Sequence, residues 1–174
     1  MAENIHKPVD SRNRVPEWRT ETPEASALMA FLHHVAAFSV VAALVAEMVL
    51  FKPPLTPIQA RRIQRADQIF GAGATALLIV GLLRVMYFEK GAHYYFSNEF
   101  FLAKFSLFIV AALISIYPTV LFISWNKALK HAEVPTITPQ AVTRARMCMM
   151  LELTAILAIL LCAPFMARGI GALG

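Results

Sequence analysis

Two adjacent histidines, His33 and His34, lie inside a long apolar segment of this 174-residue chain. An imidazole can ligate a metal ion or carry a proton. An ionisable side chain within a membrane span is costly and therefore marks a candidate functional site. Consecutive helical residues point about 100° apart, so we expect at most one of the two histidines to face the interior of a bundle.

The composition predicts a membrane protein, because 58% of the residues are hydrophobic and only 16% are charged. Crossing about 30 Å of hydrocarbon takes about 20 apolar residues in a helix. Four segments meet this length, and the short connections between them predict an all-α, up-down-up-down bundle of four transmembrane helices. The segments run approximately from Ala27 to Phe51, Ile69 to Phe88, Phe100 to Trp125 and Met147 to Ala167.

We divide the chain into a polar N-terminal tail (1–25), a four-helix transmembrane domain (26–168) and a short C-terminal tail (169–174). The N-terminal tail lacks the basic start, short apolar core and cleavage site of a secretory signal, so the first span is expected to be retained. Cys148 and Cys162 have no CxxC spacing and are predicted to be buried thiols rather than a disulfide.

Basic residues concentrate in the two loops that join helices one to two and three to four. The positive-inside rule therefore places these loops in the cytoplasm and both termini outside. We attribute the net charge of +5 to this asymmetry rather than to nucleic-acid binding. The residues are Lys52, Arg61, Arg62 and Arg65 in one loop, and Lys127, Lys130, Arg144 and Arg146 in the other.

The polar residues of the spans form two predicted layers. The outer layer holds His33, His34, Arg84 and Lys104. The inner layer holds three acids, Glu47, Asp67 and Glu152, which are expected to be structural and to pair with Arg61, Arg62, Arg65 or Arg146. Trp125 is expected to lie in an aromatic belt at the membrane interface, together with Trp18, Tyr94 and Tyr95.

Helical spacing indicates which residues share a face. His33 and Glu47 are two heptads apart on helix one, about 21 Å along the axis, so one inward stripe would carry both. On helix two, Gly73, Leu77 and Gly81 share a face that ends in Arg84. On helix three, Lys104 shares a face with an aromatic and two small residues, Phe108, Ala111 and Ser115.

Small residues beneath a histidine and two cations suggest room for a flat anionic molecule, and the combination suits a porphyrin. Phe38 and Phe108 would pack on the ring, while Arg84 and Lys104 would neutralise its propionates. The same residues also allow simpler roles, in which the histidines serve only as interfacial groups and the cations extend to water. Met29 with the run Met147, Cys148, Met149 and Met150 also allows a copper(I) site, which we consider the weaker hypothesis.

The chain resembles HemJ-type protoporphyrinogen IX oxidases over roughly residues 26 to 168. The resemblance rests on Phe31-Leu32-His33-His34-Val35-Ala36, on Arg61-Arg62-Ile63-Gln64-Arg65, on Leu102-Ala103-Lys104-Phe105, and on Arg146 followed by Leu151-Glu152-Leu153-Thr154. It implies that His33 ligates haem b, that Lys104 is functional and that Glu152 matches a fourth-helix acid. The layout also resembles CopD-like copper-resistance domains and an uncharacterised bacterial family of four-helix inner-membrane proteins.

Our leading hypothesis is therefore a bacterial inner-membrane protein that binds haem b and acts in electron transfer or haem-linked oxidation. His33 would be the axial ligand and His34 the fallback, with Arg84 and Lys104 as catalytic or propionate-binding cations. The alternatives are a non-enzymatic accessory subunit of a larger membrane complex, CopD-like copper handling, and a transporter, for which four helices are too few unless the chain oligomerises. A homodimer is a further expected partner state. A second axial histidine is missing from the spans, because His6, His93 and His131 lie outside them.

Overall fold

The computed structural model describes residues 22–88 and 97–168. Within this part of the chain 86% of the residues are helical and no strand occurs. Four of the helices are long and apolar enough to cross a membrane, which confirms the predicted fold class. The elements are α1 (Pro23–Leu50), α2 (Pro57–Leu83) with a π-helical turn (Arg84–Phe88), α3 (Glu99–Ser124), α4 (Asn126–Lys130) and α5 (Pro139–Ala167).

Helix α2 begins at Pro57, well before the apolar segment that starts near Ile69. Thr56 and Gln59 form a capping box in which each side chain accepts a hydrogen bond from the other residue's backbone N–H, and proline at the first helical position favours the same start. The first turns of α2 are therefore helical although they are polar. Arg61, Arg62 and Arg65, which we expected in a loop, lie on this helix.

The second basic region is also more helical than its sequence suggests. Helix α5 begins at Pro139 rather than near Met147, and the Thr138 hydroxyl accepts a hydrogen bond from the Ala141 N–H at its start. Arg144 and Arg146 are thus helical residues, and Lys127 and Lys130 lie on the short helix α4. Capping groups outside the apolar segments set both starts, so the hydrophobic pattern alone did not show them.

The long helices form two closely packed pairs, α1 with α2 and α3 with α5. The pairs meet where α2 contacts α3 and α1 contacts α5, which is the arrangement of an up-down-up-down bundle. Buried residues form one stripe on α1, comprising Ala36, Val40, Ala43, Leu44 and Glu47. This stripe is the predicted inward face of helix one.

An aromatic cluster closes the end of the bundle at which α1 is joined to α2. The rings of Phe122 and Trp125 lie 5.0 Å apart between centroids, and those of Phe51 and Phe122 lie 5.7 Å apart. Trp125 is only 3% exposed, so its predicted place in an interfacial belt is wrong. Its ring stacks on Phe51 because the chain turns directly from α3 into α4 at this point and directs the indole into the core.

Large apolar side chains cover the outside of the helices, including Phe31, Phe38, Leu113 and Leu161. Such a surface is disfavoured in water and suits contact with lipid tails. The protein is therefore expected to contact the bilayer on most sides of the bundle.

Candidate functional site

His33 lies at the contact between α1 and α2 and is half-buried. A Cβ placed on Gly81 would stand 3.4 Å from His33 Cε1 and 3.6 Å from Nδ1, so the imidazole lies directly against the glycine. Nδ1 is buried and has no hydrogen-bond partner within the described residues. Of the two histidines, His33 is therefore the one that faces the bundle.

His34 is exposed and points about 100° away from His33 around the helix axis. Its Nδ1 donates a hydrogen bond to the Ala30 carbonyl at 2.6 Å, one turn earlier on α1. An imidazole that faces outward and is already hydrogen-bonded to a carbonyl of its own helix is poorly placed to bind a group inside the bundle. His34 is consequently a natural control for His33.

Arg84 and Lys104 lie close enough to His33 to interact with it electrostatically, and they also interact with each other. We call His33, Arg84 and Lys104 the histidine cluster. Arg84 begins the π-helical turn after α2, and turns of this kind are frequent at functional sites. Lys104 lies one turn into α3, so three helices contribute to the cluster. The predicted outer layer thus exists as a spatial group, whereas the roles of its members in ligation or catalysis stay predictions.

Glycines allow α1 and α2 to approach closely beneath this cluster. A Cβ on Gly73 would stand 3.1 Å from Val40 Cγ2, tighter than ordinary van der Waals contact. Together with the contact between Gly81 and His33, this confirms that the small-residue face of α2 is directed at α1. It also shows that much of the small-residue surface serves helix packing.

The two aromatics expected to pack on a flat ligand occupy different environments. Phe108 is half-buried on α3, as predicted for a residue that faces the bundle. Phe38 is 73% exposed and lies on the outer surface of α1, so the expectation that it packs inside is wrong. Its position is five residues after His33, which rotates its side chain by about 500°, or 140° away from the histidine face.

The three acids of the predicted inner layer also come together. Glu47 interacts electrostatically with Asp67 and with Glu152, and Glu152 interacts with Asp67. All three are buried, with exposed fractions of 2% for Glu47, 8% for Asp67 and 1% for Glu152. We call these residues the carboxyl cluster. They come from α1, α2 and α5 and meet inside the bundle.

The carboxyl cluster does not pair with the arginines as expected. Asp67 Oδ1 accepts a hydrogen bond of 2.7 Å from the Thr119 hydroxyl on α3. Oε1 of Glu47 and Oε1 of Glu152 are buried and lack any hydrogen-bond partner in the described part of the chain. Thr119 was missed in the sequence because a single threonine in an apolar span gives no periodic signal.

Two of these arginines instead donate to backbone carbonyls at helix ends. Arg61 Nη2 donates to the Leu129 carbonyl at 2.6 Å, and Arg146 Nη2 donates to the Phe51 carbonyl at 3.4 Å. Carbonyls in the last turn of a helix have no intrahelical partner, so they attract cationic donors near the surface. The acids lie deeper inside the bundle, which explains why the predicted ion pairs are absent between the described residues.

Gln64 is a second polar residue to which the sequence assigned no role. Its Nε2 donates to the Phe122 carbonyl at 2.6 Å and to Asn126 Oδ1 at 3.0 Å. The side chain therefore ties α2 to the junction between α3 and α4. The contact is structural and lies at the end of the bundle away from the histidine cluster.

Within residues 22–88 and 97–168, no group of three or more His, Cys, Asp or Glu side chains is arranged to hold a metal ion. Cys148 and Cys162 are free and half-buried. Met149 is buried, whereas Met147 and Met150 are exposed, so the sulfurs considered for copper point in different directions. His6, His93, Trp18, Tyr94 and Tyr95 lie outside the described residues.

Comparison with known families adds one assignment. The family model described as predicted membrane protein (DUF2214) matches residues 25–171. The chain belongs to the DUF2214 family. No curated protein and no solved structure matches it. The matched region of this DUF2214 protein includes all four membrane helices and both clusters, while its resemblances to HemJ-type and CopD-like proteins stay predictions.

Proposed function

We propose that this DUF2214 protein binds haem b through His33 and serves one-electron transfer or haem-linked oxidation within the membrane. The observation that carries the proposal is the inward His33 imidazole, whose buried Nδ1 has no partner among the described residues and whose ring lies against Gly81. Leaving a polar nitrogen unsatisfied in an apolar environment costs free energy. Ligation of a metal, or a hydrogen bond that orients a ligating ring, would recover this cost.

Arg84 and Lys104 supply the second half of the proposal. Both interact electrostatically with His33 and would bind carboxylate groups on an anionic tetrapyrrole. Haem would contribute a redox-active iron, and the surrounding apolar helices would keep water away from it. His34 is exposed and hydrogen-bonded to Ala30, and His131 lies at the far end of the bundle, so His33 would be the single histidine ligand from the described residues.

The test is the visible spectrum of the protein purified in mild detergent from haem-replete cells, oxidised and dithionite-reduced. We expect a Soret band that His33→Ala abolishes and His34→Ala preserves. His33→Gly with added imidazole should recover the band, which separates ligation from a folding effect. A colourless wild-type protein, or a band that persists in His33→Ala, would reject the proposal and favour an accessory subunit without a cofactor.

The orientation is part of the same proposal. The end of the bundle that carries Arg61, Arg62, Arg65, Lys127 and Lys130 would face the cytoplasm of a bacterial inner membrane, because short loops rich in Lys and Arg are retained there. The histidine cluster would then lie toward the outer surface. Labelling of a single introduced cysteine, Thr136→Cys, with a membrane-impermeant maleimide in intact cells should fail and should succeed after lysis.

A further inference from the structure

The carboxyl cluster is built at the contact between the two helix pairs. His33 lies against Gly81, and Val40 lies against Gly73, so seven residues forward on α1 correspond to eight residues back on α2. Continued by one more step, this register matches Glu47 to residue 65, which lies two residues, or about 3 Å along the axis, from Asp67. Glu152 reaches this level from α5, and Thr119 reaches Asp67 from α3.

The two glutamates carry a second, independent feature. Both are at least 98% buried, with exposed fractions of 2% for Glu47 and 1% for Glu152. Each has an Oε1 atom that is shielded from solvent and unpartnered in the described part of the chain. Glu47 also interacts electrostatically with Glu152, so the two buried side chains lie within electrostatic range of each other.

The described groups around the cluster supply no positive charge. From α2 comes Asp67, from α3 the Thr119 hydroxyl, and from α5 Glu152 itself together with the Cys148 thiol, which also interacts with Glu152. Two of the arginines expected to pair with these acids, Arg61 and Arg146, donate to backbone carbonyls instead. The described residues provide no arrangement of three ligands for a metal ion at this position.

Three ionised carboxylates without a cation are very costly in a low-dielectric interior, and a group in such a place becomes neutral at lower cost. A carboxylate has only acceptors, whereas a protonated carboxyl also has one donor. One proton therefore removes a charge and provides the donor that the two unpartnered oxygens lack. Asp67 already has a donor in Thr119 and is the member best suited to keep its charge.

We propose that Glu47 and Glu152 form an intramembrane proton-binding site, with Asp67 as the neighbouring carboxylate. Binding converts a glutamate carboxylate and a proton into a carboxyl group, and release reverses that step with no other reactant. The site lies away from the histidine cluster and does not depend on a bound haem. Its ligand is a proton rather than a metal cation.

The first test is infrared spectroscopy of the full-length protein in lipid nanodiscs at about pH 7, well above the ordinary glutamate pKa of about 4.3. We expect a protonated-carboxyl C=O band that shifts in D2O. Glu47→Gln or Glu152→Gln should remove or displace the band. Glu133→Gln, a matched change at an exposed glutamate near the same end of the bundle, should leave it unaltered. A wild-type protein without the band would overturn the proposal.

A second measurement uses only the wild-type protein, so its result does not depend on whether the glutamate variants fold. Dicyclohexylcarbodiimide is apolar and adds to protonated carboxyls, so it should label the wild-type protein at Glu47 or Glu152 in peptide mapping. Labelling should fall as the pH is raised and should spare Glu133. Adducts confined to exposed carboxyls, in protein whose helical circular dichroism is intact, would also overturn the proposal. Neither readout involves haem, so this site and the proposed function fail or succeed separately.

Discussion

The imidazole of His33 lies against Gly81 with room for no more than a methyl group between them, since a Cβ at position 81 would stand 3.4 Å from Cε1. The contact between Val40 and Gly73, two helical turns further along α1, is tighter. A Cβ at position 73 would stand only 3.1 Å from Val40 Cγ2. The glycine face of α2 thus fixes the separation of α1 and α2. It also fixes the depth at which the histidine enters the bundle.

We expect Gly73→Ala to destabilise the protein by about 1 kcal/mol, because overpacking at the Val40 contact outweighs the gain in helix propensity. The matched change Gly71→Ala faces open space and should be neutral or stabilising by up to about 1 kcal/mol. Thermal unfolding in mild detergent measures both. Adding Val40→Ala to Gly73→Ala should restore part of the lost stability, and equal effects of the two glycine changes would contradict the close contact.

The hydrogen bond between Thr119 and Asp67 should contribute measurably to stability. Thr119→Val keeps the side-chain shape but leaves Asp67 Oδ1 without its donor, which we expect to cost about 1–3 kcal/mol. Thr154→Val is the control, because that hydroxyl is exposed and donates to the Met150 carbonyl of its own helix. A Thr119 variant as stable as the Thr154 variant would show that the bond is unimportant.

Arg61 should hold the end of α4 in place. Arg61→Met preserves the aliphatic stem but removes the donor to the Leu129 carbonyl, and we expect a loss of about 1 kcal/mol at this partly exposed position. Faster amide hydrogen exchange in residues 126–132 is the measurement. The control is Arg62→Met at the exposed neighbouring position, which should leave the amide exchange rates of residues 126–132 at their wild-type values.

The aromatic cluster should matter far more than the aromatics on the lipid-facing surface. Phe122 is fully buried between Phe51 and Trp125, so Phe122→Ala should leave a cavity and cost about 3 kcal/mol. Phe38→Ala, at a site that is 73% exposed, should change the free energy of unfolding by less than about 0.5 kcal/mol. Comparable losses in the two variants would mean that Phe38 is covered by a partner.

Much of the bundle could be predicted from local pattern. The seven-residue spacing of His33, Val40 and Glu47 placed them on one face, and the structure has them on that face. The glycines of α2 were likewise expected on an inward face. These features follow from helix periodicity and from the length of apolar sequence needed to cross a bilayer, both of which are properties of single segments.

The charged groups were harder to assign. The sequence placed Glu47, Asp67 and Glu152 in one layer but paired them with four arginines, two of which donate to backbone carbonyls instead. A long flexible side chain can reach partners over several turns, so its sequence position leaves the partner open. Trp125 was misplaced for a related reason, because its environment depends on how the chain turns after α3.

The sequence by itself determined four membrane helices, their antiparallel order and the shared faces of the first three, because length, hydrophobicity and periodicity act within a helix. Only the tertiary structure decided that His33 packs against Gly81, that Thr119 satisfies Asp67, and that two buried glutamates interact, each with an unpartnered oxygen among the described residues. Those outcomes depend on the rotation of each helix and on the register between helices. Both are fixed by packing among residues far apart in the chain.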